Sequence, residues 1–456
     1  MKHVLLITAI LLANLNLSGQ IDHAEYIDGP FENPQEITEN CLMCHEGIDT
    51  EIMKTRHWNW QGAEYTNQNG KSVTLGKQNM INNFCIGTTS NWPRCTSCHI
   101  GYGWKDSSFN FNEGSNIDCL VCHDQTGTYK KTPTGAGMPD PSVDLVKVAQ
   151  SVGKTSNRNC GACHFNGGGG TGVKHGDLDG SMFNPGEELD VHMGRLDFNC
   201  SDCHAGENHK ILGASHASMA AGTNHISCIG CHKEKPHEKK LLNNHISSIA
   251  CETCHIPRYA REEPTKSWWD WSTAGKDKEV EKDEYGMESY NKKKGDFAWS
   301  KNVVPEYRWY NGQADYYMFG DKIDPTNPVS LNELSGDIKD PKAKITPFKV
   351  MRGKQIYDSQ NNYMIVPKLF GKDGYWKTFD WNSASALGMQ SINLPYSGEY
   401  GFVETEMYWP INHMVAPAEY ALRCTECHTR KETKRLDWEK LGYDGDPMSK
   451  GGRFNP

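Results

Sequence analysis

The strongest hydrophobic run in the chain lies at its start. Lys2 precedes an almost unbroken apolar stretch over residues 4–15, and small residues follow at Ser18 and Gly19. A positive residue, a short apolar run and a small-residue exit make the pattern of a secretory signal peptide over residues 1–19, with Gln20 as mature start. The run is shorter than the roughly 20 residues a spanning helix needs. No lipobox Cys stands nearby, and no later run is apolar enough to cross a bilayer. The mature chain is therefore expected to be exported, periplasmic and not membrane-spanning.

Further along, the pattern is mostly polar and broken. Two β-rich runs, 344–357 and 363–370, flank the turn residues Asp358-Ser359-Gln360-Asn361-Asn362 and predict a hairpin. Residues 276–294 are densely charged and read as a solvated loop. Residues 416–422, with Pro417 near the first turn, predict a helix. Elsewhere Gly, Asn, Asp and Ser dominate, with room only for short helical turns.

Composition sharpens the problem. Apolar residues make up 37% of the 456 residues, below the roughly 45–50% of ordinary globular chains. Mean hydropathy is -0.70. Charged residues are only 23%, too few for a charged disordered polymer. A net charge of -9 argues against nucleic acid as a partner. The chain holds 17 Cys, 19 His and 13 Trp, so something other than aliphatic side chains must help build its interior.

The cysteines say what. Cys-x-x-Cys-His occurs eight times, at Cys41/Cys44/His45, Cys95/Cys98/His99, Cys119/Cys122/His123 and Cys160/Cys163/His164. It recurs at Cys200/Cys203/His204, Cys228/Cys231/His232, Cys251/Cys254/His255 and Cys424/Cys427/His428. The two thiols of such a motif form thioethers with the vinyl groups of haem, and the adjacent His supplies the proximal iron ligand. Zinc sites need no His directly after each second Cys, and a disulfide scaffold would not repeat this spacing. Eight covalently bound c-type haems follow, and the interior becomes partly porphyrin. The expected fold is mainly α with much irregular structure. It is a multihaem cytochrome c array whose core is largely haem, with a small β-containing insertion. The expected organisation is a signal peptide (1–19), a seven-motif domain (20–255), a motif-free insertion with the hairpin (256–400) and a C-terminal segment carrying the eighth haem (401–456).

Low-spin haems need a second axial ligand, most often His. Eleven His lie outside the motifs, and His3 leaves with the signal peptide. His57, His175, His192, His209, His237, His245 and His413 are the preferred distal ligands. His216 and His225 stand in reserve, and His23 is the least expected.

Two features remain. Cys85 belongs to no motif. It is either a buried small hydrophobe or a thiol beside a reactive haem. The run 167–172 is Gly-rich and imitates a phosphate loop, but Val173 stands where that loop has Lys directly after the last Gly, and His175 rather than Ser or Thr follows Lys174. Glycines just after a haem motif instead let backbone pass close to a porphyrin. They deliver Lys174, a surface amine or an iron ligand.

The run Cys160-Gly-Ala-Cys163-His164-Phe-Asn-Gly-Gly-Gly-Gly-Thr171-Gly-Val-Lys174-His-Gly-Asp-Leu-Asp179 resembles the octahaem tetrathionate reductase family. So do Asn82-Asn83-Phe84-Cys85, residues 250–257 and residues 409–417. The resemblance spans the mature chain. It implies that one haem, the one attached by Cys95 and Cys98 with His99 proximal, has Lys174 as distal ligand and is the active site. It implies Cys85 and Asn82 as pocket residues, and Lys233 or Lys235 as a second pocket lysine. The family has an acid where Thr171 stands here. The resemblance further implies a reductase of tetrathionate, nitrite or hydroxylamine, a small anionic substrate, and a periplasmic or membrane-associated electron donor. A non-catalytic electron conduit and a hydroxylamine oxidase are the rival readings.

Overall fold

A computed structural model describes residues 22–62, 64–66, 70, 72–81, 87–167, 169–213, 226–429 and 434–453. The expected signal peptide, Asn82, Cys85, His216 and His225 lie outside the described residues.

The chain divides its work by composition. Where Cys-x-x-Cys-His motifs crowd together, helices are short, often a single turn, because intervening Gly and Asn stop them. The longest helices, Pro34–Cys44 and Trp381–Ser391, have eleven residues. Each starts on a side-chain cap, from Asn33 and Asp380 respectively.

The motif-free segment is different, and larger in strand than the expected small insertion. Its centre is the fifteen-residue strand Lys344–Asp358, longer than any helix. The fold is therefore mixed rather than mainly helical. That strand pairs antiparallel with Tyr400–Pro410 over a register from Phe348↔Pro410 to Asp358↔Tyr400. On its other side it runs parallel to Thr265–Asp270, which continues the sheet to Gly295–Ser300 and Tyr290–Asn291. Val329–Ser330 closes the opposite edge, and Glu306–Tyr310 and Tyr363–Met364 pair the two ends of the central strand. The sheet has eight strands.

The expected hairpin exists only as a stub, with pairs Tyr357↔Met364 and Asp358↔Tyr363. The main partner of the central strand is instead 400–410, which brings aromatic and aliphatic side chains to face it. Within 276–294, residues 276–285 are mostly exposed, as a solvated loop would be. The expected helix over 416–422 is one 3₁₀ turn, Ala418–Tyr420.

The largest apolar cluster sits on this sheet and includes Trp269, Trp271, Met351, Ile356, Trp381, Met407 and Trp409. It reaches out to Ile81 and Val173, one residue short of Lys174. The sheet also anchors a haem motif. Ile345 accepts hydrogen bonds from Ala250 N and Thr253 Oγ1, fixing the Cys251–His255 helix against the central strand.

Candidate multihaem site

Each motif folds as a helical turn, so its two cysteines, three residues apart, project from one face. The turns are capped locally. Ser156 and Asn159 form a reciprocal box ahead of Cys160, and Asn199 and Asp202 do the same at Cys200. All sixteen motif cysteines line one continuous, partly open cavity of about 5470 Å³. Seven motif histidines line it too: His45, His123, His164, His204, His232, His255 and His428.

Six of those seven rings face a second histidine. The pairs are His45–His23, His164–His57, His232–His192, His204–His413, His255–His237 and His428–His245, with ring centres 6.1 to 6.4 Å apart. Two metal–imidazole bonds of about 2 Å, plus just over 1 Å from each nitrogen to its ring centre, require about 6.3 Å. The donor set thus fits an iron between each pair. His23, the least expected ligand, is one of the six, and it stacks on His45 at an interplanar angle of 18°.

The protein also decides which ring nitrogen is free. Nδ1 of His123, His204 and His245 donates to the carbonyls of Gly153, Leu212 and Leu241 at 2.9 to 3.0 Å. Three rings meet carboxylates instead: His428 with Asp446 at 2.6 Å, His413 with Asp177 at 3.1 Å and His209 with Glu51 at 3.1 Å. Holding the proton on Nδ1 leaves the Nε2 lone pair for metal. Burial pushes the His164 ring down to about 3, with the charges of neighbouring cationic groups adding to the fall. It therefore stays neutral, as a ligand must. Burial alone would raise the Asp177 carboxyl. The His413 ring, with help from His175 and the Asn412 N–H, holds it below its ordinary range.

His99 differs from every other motif histidine. It does not line the cavity. Its ring is fully buried among Trp58, Trp60, Trp104, Phe109 and Phe111, with centres 4.7 to 6.2 Å away. Its Nε2 is 2.6 Å from the Trp58 carbonyl oxygen, so the nitrogen that would bind iron is already bonded. Gly101 makes the cage possible, because a Cβ there would come within 2.8 Å of both His99 and Trp58. The expected proximal role of His99 does not match this placement. The aromatic cage, invisible in a motif, has drawn the ring inward.

Cys95 and Cys98 nevertheless face the cavity, and so does Lys174. Lys77, Lys131 and Lys174 all lie within electrostatic range of Cys98. The loop before Lys174 needs its glycines. Gly169, Gly170 and Gly172 have φ of 153°, 122° and 62°, a region that side chains resist.

Other expected residues fall elsewhere. Lys233 and Lys235 follow His232, on the cavity wall of the sixth motif. The cations acting on Cys98 beside Lys174 are Lys77 and Lys131, which the sequence did not single out. His175 lies edge-on to Trp409 at 4.6 Å and, among the described residues, faces no motif histidine at the ligand spacing. Thr171, in place of the family acid, donates to Glu263 Oε2 at 2.7 Å.

The motifs touch in a definite order. Cys41 lies beside Cys119, Cys160 beside Cys200, and Cys228 beside Cys251. Cys122 lies within electrostatic range of Cys160, Cys203 of Cys231, and Cys254 of Cys424 and Cys427. These contacts string motifs one, three, four, five, six, seven and eight into a row. The second motif joins that row at the fourth, through Cys98 and Cys163.

Comparison with known proteins agrees with this picture. Residues 40–124 match the family model "Cytochrome c554 and c-prime", and residues 266–431 match "Cytochrome c bacterial". The solved structure of an octahaem cytochrome c from Shewanella oneidensis is 50% identical and superposes with a TM-score of 0.89. The match covers 96% of this chain and 99% of that one. An uncharacterised protein of Archaeoglobus fulgidus is 25% identical over 42% of this chain and 80% of its own length.

Proposed function

The chain belongs to the octahaem c-type cytochromes, and from that premise we propose that it is a reductase of small oxidised sulfur or nitrogen species, with tetrathionate, nitrite and hydroxylamine as candidate substrates. Its redox chemistry as a multihaem c-type cytochrome follows from the family. The carrying observation for catalysis is the pairing of a caged His99 with a cavity-facing Lys174 beside Cys98. Haem bound there supplies iron that can exchange electrons and bind a ligand.

In this reading Lys174, rather than His99, would hold that iron, which departs from the expected distal role of Lys174. Lys77, on the cavity wall, puts positive charge beside the site, which draws in an anion and stabilises charge as bonds break, whereas Lys131 is paired with Asp118 at 2.9 Å. Cys85 and Asn82 keep the pocket roles the family resemblance implies. Lys233 and Lys235 sit beside His232 and take no part at Lys174. His209, held by Glu51, is our assignment opposite His123: Asp49 of the same short helix packs on Gly114, just ahead of Cys119. Haems held by the paired histidines would supply the electrons, and Cys98 with Cys163 is where their row meets the site. Export to the periplasm and an anionic substrate supplied there complete the proposal.

The six closed histidine pairs favour a second reading, a conduit with no substrate site. Viologen-coupled assays with tetrathionate, nitrite and hydroxylamine separate the two. Turnover on at least one substrate, lost in Lys174→Met, is expected. Silence on all three would leave only the conduit. Loss of tetrathionate but not nitrite turnover in Cys85→Ala would give the thiol a role in sulfur–sulfur cleavage.

A further inference from the structure

Lys174 sits on a glycine-rich loop, and such loops hold a ligand in place only if something else fixes them. Lys349 is that candidate. It lies on the central strand, in register with Trp409, and is 1% exposed. A buried amine must find acceptors. Its Nζ donates to the carbonyl oxygens of Val173 at 3.0 Å and Lys174 at 2.8 Å, and to Thr265 Oγ1. Thr265 Oγ1 in turn bonds the Gly172 carbonyl oxygen at 2.6 Å. Three successive carbonyls of the loop, 172 to 174, are thereby tied to two strands of the sheet.

The fit extends beyond these bonds. A Cβ on Gly176 would stand 3.1 Å from Lys349 Cδ and 2.3 Å from the Tyr259 ring. The absence of a side chain there lets the loop lie against the lysine stem. Asp177, fully buried two residues after His175, lies within electrostatic range of Lys349. A carbon chain of equal length could fill the volume but would leave two carbonyls in the loop unpaired.

We propose that Lys349 is a positioning residue for Lys174, clamping the loop so that the Lys174 amine is presented to the cavity beside Cys98. It touches no reacting atom and acts through the backbone of its neighbour. This inference rests on the reading of Lys174 as an iron ligand, and the test keeps the two apart.

The experiment compares haem-loaded wild type with Lys349→Met, Thr265→Val and Lys174→Met. The ligand-sensitive electron paramagnetic resonance signals, the potential of the affected haem, and kcat and KM are measured. Lys174→Met should change the signal of one haem in eight; no change would sink the ligand reading itself. Lys349→Met should perturb that same signal and spare the other seven. It should lower kcat about tenfold with KM within about twofold, as a small misplacement of a reacting site does. Thr265→Val should give a weaker shift of the same signal. If Lys174→Met alters one haem while Lys349→Met and Thr265→Val leave it unmoved, the clamp is refuted and the ligand reading stands. If Lys349→Met fails to fold, Thr265→Val decides the question, because a shift at that haem supports the clamp and none overturns it.

Discussion

Asp177 acts on the His413 ring from a place where water cannot compete. It is 2% exposed and accepts from Asn412 N, His413 N and His413 Nδ1 at 2.7 to 3.1 Å. A carboxylate on Nδ1 makes the ring a stronger donor to iron, which favours the oxidised metal. Asp177→Asn keeps an acceptor and removes the charge. The potential of that haem should rise by on the order of 60 mV, one tenfold step for a single electron. Redox titration followed spectroscopically checks this, and an unmoved set of eight potentials would refute it. His23→Ala should turn one low-spin haem high-spin and leave seven unchanged, because His23 alone faces His45 at the ligand spacing among the described residues. Residue-level chemistry was partly legible in advance. Cys-x-x-Cys-His is a local pattern, so spacing reveals it. The partner of each proximal ring is a long-range matter, and isolation near the N-terminus made His23 look dispensable. His99 could not be judged from its motif, because the five rings that hold it come from segments on either side.

At the scale of elements, the Lys344–Asp358 strand carries the greatest consequence. Phe348 is fully buried in it, packed near Leu75, Met80 and Tyr316. Phe348→Ala should cost about 3–5 kcal/mol, read as a fall in Tm of the holoprotein. Asp358 ends the strand and accepts five hydrogen bonds, from Gln360, Asn361 and Ser397. Burial would raise its carboxyl, but these donors hold it below the ordinary range. A carboxyl lowered in the folded state stabilises fully above its unfolded value of about 3.9 and loses that contribution as pH falls further. Asp358→Asn should therefore cost about 1–3 kcal/mol at neutral pH, and the gap to wild type should narrow below about pH 4. Thermal melts of both proteins across that range test the sign. The β-rich runs around the 358–362 turn were readable from alternation and turn residues. The dominance of 400–410 over 363–370 was not, since register between distant strands leaves no local trace.

Across the whole molecule, two kinds of interior coexist. The sheet segment has a cluster of buried Trp, Met and Ile side chains on its own account, whereas the motif segments converge on the cavity that the sixteen motif cysteines line. The low apolar fraction pointed to an interior built partly from something other than aliphatic side chains, but it averaged over these two parts and hid the sheet. In haem-free protein, hydrogen exchange should stay slow in 344–358 and 400–410 and become fast through 95–255. Uniformly fast exchange would mean that the sheet also depends on cofactor.

The side attachment of the second motif through Cys98 and Cys163 makes that centre a spur on a through-line. Traffic between the two ends of the line need not visit it. Under the proposed reductase reading, blocking the spur with an inhibitor should halt turnover while charge still crosses from one end of the row to the other, so such a reductase would remain a working relay when idle.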